Sequence, residues 1–156
     1  MQTDGEYTAT DIFIVPADPD ADPTAAVRLT GGPQDDHSLS WSPDGAEIAF
    51  ISNRSGDWDN TNANSVFVVK TSGPAAVGGS DPMPTRLLTE SPGPAFTPKW
   101  SPDGKWLACM LSNPTSKDSP AEDTQVAVVP ADGDHKNTYR LQLCPFHQQL
   151  RAASPH

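Results

Sequence analysis

Cysteine and basic residues are scarce in this 156-residue sequence. Its two cysteines, Cys109 and Cys144, form neither a CxxC pair nor a zinc-type spacing, so we expect two free thiols, with Cys109 as a small apolar filler. Lys and Arg number 10 against 20 Asp and Glu, which gives a net charge of −10. Nucleic-acid binding needs clustered cations, so this balance argues against a nucleic-acid partner and indicates solvated acidic loops.

Long apolar runs are missing too. The first apolar run, Ile12–Val15, is short, and the preceding residues 1–7 are polar, so no signal peptide is visible. No stretch is long enough to cross a bilayer. We therefore predict a protein without a membrane span, cytoplasmic if Met1 is its true start.

Motifs for catalysis, cofactors and metals are absent from the sequence. It has no Gly-x-Ser-x-Gly nucleophile elbow and no glycine-rich phosphate loop. The Asp-rich runs 18–22 and 57–64 carry oxygen atoms at short spacing, but neither continues as an EF-hand, so we interpret them as turn residues. The four histidines are scattered through loop or tail segments: His37, His135, His147 and His156. We predict no catalytic residue, no cofactor and no metal site in this chain.

What the sequence does contain is a repeat. Trp41-Ser42-Pro43-Asp44-Gly45 returns 59 residues later as Trp100-Ser101-Pro102-Asp103-Gly104. An Arg-Leu run recurs around it, with its arginines at Arg28, Arg86 and Arg140, 58 and then 54 residues apart. A near-constant period of this length is typical of propeller blades, with the length differences taken up by loops.

Each unit contains four short runs rich in Val, Ile, Leu, Phe and Trp, separated by Gly, Pro, Asp, Asn and Ser, which predicts strands and turns. Residues 47–52 and 105–111 are mostly apolar, as expected for strands covered on both faces. Ser-Pro-Asp-Gly predicts a tight hairpin turn, in which Pro presets φ, Asp caps the backbone and Gly takes a positive φ. Trp41 and Trp100 are predicted to be packing residues of equivalent strands.

These residues resemble the PD40, or TolB-like, group of WD40-like β-propeller repeats, found in TolB and in the propellers of prolyl-oligopeptidase-like serine peptidases. The resemblance covers about residues 11–143. The unit length, with long loops, and the run Ser52-Asn53-Arg54-Ser55-Gly56-Asp57-Trp58-Asp59 before an expected aliphatic strand are more similar to the dipeptidyl-peptidase and acylaminoacyl-peptidase propellers.

The resemblance implies an all-β partial propeller of about two and a half four-stranded antiparallel blades in an incomplete ring. Residues 1–37 would hold the outer half of a first blade and an N-terminal extension. A complete blade would occupy 38–90 and a further blade 91–143, followed by an irregular tail over 144–156. Family topology places each Trp-Ser-Pro-Asp strand innermost and each Arg-Leu strand outermost. Closed propellers need about four to eight blades, so we expect a piece of a longer protein.

Three functions are compatible with this interpretation. The first is a non-catalytic propeller fragment of a prolyl-oligopeptidase-like peptidase, which would gate and orient peptides for a hydrolase domain absent from this chain. The second is a TolB-like propeller that serves as a protein-interaction scaffold. The third is a small β-protein that completes a ring from several copies. The partners implied are the remaining blades, a hydrolase domain, and peptides or a protein.

Overall fold

The computed structural model describes residues 9–20, 22, 25–54, 63–73, 82–89, 94–112, 124–133 and 139–141. Across these residues the chain forms strands joined by turns and bends, and no α-helix. No described helix is both long and apolar enough to cross a lipid bilayer. The predicted irregular tail, 144–156, and the Asp-rich run 57–64 up to residue 62 lie outside these ranges.

Within the described residues, ten strands form three antiparallel sheets. They are β1 (Phe13–Ile14), β2 (Val27–Arg28), β3 (Asp36–Trp41), β4 (Glu47–Ser52), β5 (Ser65–Lys70), β6 (Thr85–Leu87), β7 (Ala95–Trp100), β8 (Trp106–Ser112), β9 (Thr124–Pro130) and β10 (Tyr139–Leu141). The pair β1–β2 is called the half-blade, β3-β4-β5-β6 the central blade and β7-β8-β9-β10 the last blade. The predicted fold class, a partial all-β propeller, is confirmed.

Both complete blades contain the same irregularity in their first strand. The pairing of β3 with β4 shifts between His37 and Ser40, and that of β7 with β8 shifts between Phe96 and Lys99. Inside each shift lies a non-glycine residue with positive φ, Ser38 at 56° and Thr97 at 46°. Such a bulge bends the strand and increases its twist. The two residues are 59 positions apart, so the bulge belongs to the repeat.

Two apolar cores lie between the sheets. One is formed by the half-blade and the central blade and contains Ile12, Leu29, Ile48, Phe50, Val69 and Met83. The other joins the central and last blades and contains Ala49, Ile51, Val66, Val68, Leu88, Ala95, Leu107, Cys109, Leu111, Ala127, Val129 and Ala131. Successive residues of β4 alternate between the two cores because strand side chains alternate between faces. The prediction that residues 47–52 are covered on both faces is therefore confirmed.

The equivalent prediction for residues 105–111 is wrong for one face. Leu107, Cys109 and Leu111 of β8 are buried against the central blade, whereas Met110 on the opposite face is 42% exposed. The last blade has a described neighbour on one side only. The apolar composition of β8 thus exceeds what its contacts within the described residues require.

The first strand of the central blade also starts earlier than the predicted boundary at residue 38. Asp36 pairs with Ser52, and its backbone N–H donates to the carbonyl of Thr10 at 2.9 Å. His37, which the sequence places in a loop, is an exposed residue of this strand. Pairing with β4 therefore extends β3 two residues before the predicted boundary, and the bond to Thr10 also joins this strand to the chain before β1.

Candidate functional site

The first Ser-Pro-Asp-Gly turn is closed by its own side chains. Ser42 Oγ donates to Asp44 Oδ1 at 2.6 Å and accepts the backbone N–H of Glu47 at 2.9 Å. Asp44 Oδ1 also accepts the N–H of Ala46 at 3.0 Å. The serine hydroxyl and one carboxylate oxygen are consequently committed to the backbone of the β3–β4 hairpin.

The second turn repeats this bonding. Ser101 Oγ donates to Asp103 Oδ1 at 2.6 Å, and Lys105 N–H donates to the same oxygen at 3.1 Å. Ser101 Oγ accepts the N–H of Trp106 at 3.0 Å. The predicted positive φ is confirmed at both glycines, which lie at 72° for Gly45 and 71° for Gly104. The repeated motif thus makes two matching hairpin turns.

The two turns face one another across the seam between the central and last blades. They line a cleft of about 190 Å³ together with one glutamate and one tryptophan. The lining residues are Ser42, Pro43, Asp44, Glu47, Trp100, Pro102, Asp103 and Gly104. This cleft brings together both copies of the sequence-predicted motif, apart from Ser101, Gly45 and Trp41.

Trp100 joins the central and last blades beside this cleft. Its indole Nε1–H donates to the backbone carbonyl of Ser40 in β3 at 3.0 Å, and its ring packs on the core between the two blades. The prediction that Trp100 is a packing residue is therefore confirmed. The same prediction is wrong for Trp41 within the described structure, where its side chain is 52% exposed. The physical reason is that Trp41 faces the side on which only the two-stranded half-blade lies.

Arg86 forms a polar contact between the central and last blades. Its Nη1 donates to the carbonyl of Ala131 in the last blade at 2.7 Å, and its Nη2 lies 3.4 Å from Glu47 of the central blade. A bond between a partly buried guanidinium and a backbone carbonyl orients the two blades. The recurring Arg of the repeat thus has an inter-blade function at this position. By contrast, Arg28 pairs with Asp11 inside the half-blade at 2.6 Å.

The cleft is electrostatically negative. The hydrogen bond from Ser42 is the main cause that lowers the pKa of Asp44, and the bond from Ser101 does the same for Asp103. Both carboxylates are therefore ionised at neutral pH, while Arg86 partly balances Glu47. In the part of the chain that the structure describes, no three His, Cys, Asp or Glu side chains are arranged so that they could hold a metal ion. The acidic lining of the cleft can attract a cationic group.

No activated nucleophile is found among the described residues. The Ser42 and Ser101 hydroxyls each bridge a turn carboxylate and a backbone N–H, whereas the serine of a Ser-His-Asp triad donates to a histidine. His37 Nδ1 does lie 2.9 Å from Ser38 Oγ, a pair that sequence reasoning missed. Both are exposed neighbours at the bulge, and the adjacent Asp35 accepts the N–H of Thr10. The contact is a local one, without a carboxylate that orients the imidazole.

Sequence reasoning also missed a buried ion pair. Arg54 Nη2 lies 2.8 Å from Asp36 Oδ2, and its guanidinium stands 5.4 Å from the ring centres of both Phe50 and Phe67. Burial raises the pKa of Asp36, although Arg54 acts in the opposite direction. The two residues are 18 positions apart, and no short-range motif connects them. The run Ser52-Asn53-Arg54 was noted in the sequence only as a resemblance.

The structure tests two predictions of a purely structural role, one for Cys109 and one for Asp18. Burial raises the pKa of the Cys109 thiol to about 11, and Cys109 packs in the core as a small apolar residue, as predicted. Asp18 Oδ1 accepts the backbone N–H of Asp20 at 2.9 Å, which confirms a self-capping turn there. Cys144 and the run 57–64 up to residue 62 lie outside the described residues.

Part of the chain is similar in sequence to a known protein. No protein-family profile matches the chain. Over 87 residues the chain is 34% identical to the "Uncharacterized peptidase YuxL" of Bacillus subtilis (strain 168). The match covers 56% of this chain and 11% of that protein, so the chain spans only a small part of its curated relative.

A solved structure supports the propeller fold. It is described as "The structure of putative TolB from Agrobacterium tumefaciens" and superposes with a TM-score of 0.55 at 24% identity. The superposition covers 76% of this chain and 37% of that one. At this identity the likeness establishes a TolB-like propeller fold and nothing about activity.

Proposed function

We propose that this chain is a non-catalytic portion of the β-propeller of a prolyl-oligopeptidase-like serine peptidase, in which it gates and orients peptides for a hydrolase domain outside these residues. The observation that carries the proposal is the 34% identity over 87 residues to a peptidase of which the chain spans 11%. The serine geometry agrees with it, because both turn hydroxyls are used to hold hairpins.

The physical contribution of such a segment is rigidity. A propeller excludes large substrates only if its blades stay in register, and here Trp100 and Arg86 bond the central blade to the last one. The acidic cleft at the seam adds a negative potential that would favour peptides with basic residues. Gating thus rests on the inter-blade bonds, and orientation rests on loops and charge.

A TolB-like scaffold is the second candidate, because a propeller of this fold can present an interaction surface without any catalytic group. In that case the same blades would present an interaction surface to a protein partner and no peptide would be cleaved. For either function, the remaining blades of the parent protein are the expected structural partners. The cytoplasmic location stays a prediction.

The reading frame of the source gene separates the two candidates. A Gly-x-Ser-x-Gly motif, followed by Asp and then His, would support the peptidase. Further Trp-Ser-Pro-Asp-Gly units followed by a stop codon would support the scaffold. In both cases the 156-residue chain should hydrolyse no peptide or ester substrate above background. Turnover that one Ser or His substitution in this chain abolishes would overturn the assignment.

If a hydrolase domain is encoded, gating can be measured on the whole protein. We expect cleavage of a short peptide, but little cleavage of the same sequence placed in a folded protein. Trp100→Phe, which removes the bond to Ser40, should increase cleavage of the larger substrate relative to the peptide. Arg28→Gln is the control, because the ion pair of Arg28 with Asp11 lies inside the half-blade and not at this seam. Equal selectivity of wild type and Trp100→Phe would argue against gating at this seam.

A further inference from the structure

The half-blade repeats two hydrogen bonds of the outer half of the central blade. Leu29 N–H donates to Ile12 O at 2.8 Å, and Ile12 N–H donates to Thr30 Oγ1 at 2.9 Å. In the central blade, Leu88 N–H donates to Val66 O at 2.8 Å, and Val66 N–H donates to Thr89 Oγ1 at 2.9 Å. Strand β1 therefore corresponds to β5, and β2 corresponds to β6.

This correspondence shows that one edge of β1 has no strand partner among the described strands. Strand β5 is bonded on one side to β6 and on the other to β4, whereas β1 is bonded only to β2 within the described sheets. Because Ile12 directs its backbone groups towards β2, strand alternation directs those of Phe13 to the opposite edge. In the central blade the equivalent Phe67 pairs with Phe50 of β4, and their rings stack at 5.9 Å. Among the described residues Phe13 has no such strand neighbour, and it is 53% exposed.

The neighbouring blade shows a matching pair of uncovered residues. Trp100 and Pro98 of β7 are covered by the first two strands of the central blade, and Pro98 is fully buried. The residues 59 positions earlier, Trp41 and Leu39 of β3, are 52% and 47% exposed. The same repeat positions are thus covered where a preceding β3–β4 hairpin exists and open where only the half-blade precedes them.

We propose that a two-stranded β-hairpin of the β3–β4 type, carried by the parent protein outside these 156 residues, docks between β1 and Trp41 and completes the half-blade. Its second strand pairs with β1 and places an apolar residue opposite Phe13, as Phe50 does opposite Phe67. Its first strand offers a backbone carbonyl to Trp41 Nε1, as Ser40 does to Trp100. The turn between them has Ser-Pro-Asp-Gly chemistry.

A second copy of this chain is a poor source of that hairpin. Ser-Pro-Asp-Gly occurs in the sequence only at 42–45 and 101–104. In both hairpins the second strand is already paired on its two edges, β4 with β3 and β5, and β8 with β7 and β9. Neither strand can therefore bond to β1 without breaking its own sheet.

The register permits a direct test in the full chain. Since Ser65 of β5 corresponds to Asp11, a copy of residues 36–64 inserted between Thr10 and Asp11 supplies the hairpin with its native connection. We expect hydrogen exchange at the Phe13 amide to slow by about tenfold, because the amide gains a strand partner. The melting temperature should rise above that of the unmodified chain.

The matched control is the same insertion with Ile51→Asp in the inserted copy only. The native Ile51 faces the next blade, so the inserted aspartate would face the core that contains Ile12 and oppose docking. Slow exchange and a higher melting temperature with the first insertion alone would support the proposal. Equal exchange at Phe13 in both proteins, or a first insertion that melts no higher than the control, would overturn it.

This inference rests on the part of the proposed function that places the chain in a larger propeller. It does not depend on a hydrolase domain. A source gene without that domain would remove the peptidase assignment and leave the insertion result intact. Conversely, a failed insertion beside an encoded hydrolase would leave the peptidase assignment standing.

Discussion

Arg54 and Asp36 form an ion pair that is almost completely removed from solvent, with Nη2 and Oδ2 2.8 Å apart. Asp36 is 3% exposed, and the guanidinium also stands over the rings of Phe50 and Phe67. The pair joins the start of β3 to the end of β4. The backbone N–H of Asp36 bonds to the carbonyl of Thr10, so the ion pair also supports the contact between the central blade and the chain that leads into the half-blade.

Removing the arginine should be strongly destabilising. Arg54→Gln leaves the Asp36 carboxylate buried without its counter-charge, and we expect a loss of about 3–5 kcal/mol in the free energy of unfolding. Arg28→Gln is the control. Arg28 also pairs with a carboxylate, that of Asp11, but the Arg28 side chain is 46% exposed. Its loss should be about 1 kcal/mol or less. Urea unfolding measures both, and equal losses would contradict the buried pair.

The effect of Arg54→Gln should depend on pH. Burial raises the pKa of Asp36 above its ordinary value of 3.8, so the folded protein binds this proton more tightly than the unfolded chain does. The stabilisation linked to this proton is complete below the unfolded pKa and is lost as pH rises through the folded pKa. Without Arg54 that pKa rises further, so the loss should be largest near neutral pH and shrink on acidification. Urea unfolding over a pH series tests this, with Arg54→Gln/Asp36→Asn as the pH-independent control. A constant loss would refute it.

The two repeat tryptophans should respond differently to the same change. Trp100→Phe keeps an aromatic ring but removes the N–H that bonds to Ser40, and should cost about 1 kcal/mol. Trp41→Phe should cost close to nothing in the 156-residue chain, because Trp41 is half exposed. Denaturant unfolding of both variants provides the measurement. A Trp41→Phe loss as large as that of Trp100→Phe would mean that the two positions are energetically alike here.

Substitution of the hairpin glycines should be limited by the backbone conformation and not by a lack of space. A Cβ at Gly45 would meet no atom within 4 Å, so the cost of Gly45→Ala comes from φ at 72° alone. We expect a loss of about 1–2 kcal/mol, and a smaller loss for Gly45→Asn because Asn adopts this conformation more readily. A β-branched Gly45→Val should be worse than Ala. Thermal melts that rank Val with wild type would disprove the turn assignment.

The buried thiol should be unreactive. Burial raises the pKa of Cys109 to about 11, so at about pH 8 little thiolate is present in the folded protein. In a Cys144→Ser variant, which leaves Cys109 as the single thiol, iodoacetamide should label the protein only after urea is added. Mass spectrometry gives the labelled fraction. Rapid labelling of the folded protein would show that this strand is accessible.

Features that depend on a few neighbouring residues were predictable from the sequence. The Ser-Pro-Asp-Gly turn is closed by bonds within five positions, such as Ser42 to Glu47, and its glycine needs a positive φ. The repeat spacing of 59 residues then placed four strands per blade in order. Local turn chemistry and chain period are sufficient for this, because each hairpin forms its own bonds.

The tertiary structure alone decided which faces are covered. Trp41 and Trp100 have the same local sequence, yet one is exposed and the other is bonded to Ser40, because only Trp100 has a complete blade before it. The ion pair of Asp36 with Arg54 and the tie from Arg86 to Ala131 likewise join residues that are distant in the chain. Burial and pairing at such positions depend on neighbouring sheets, so the same repeat has different environments at different places in the ring.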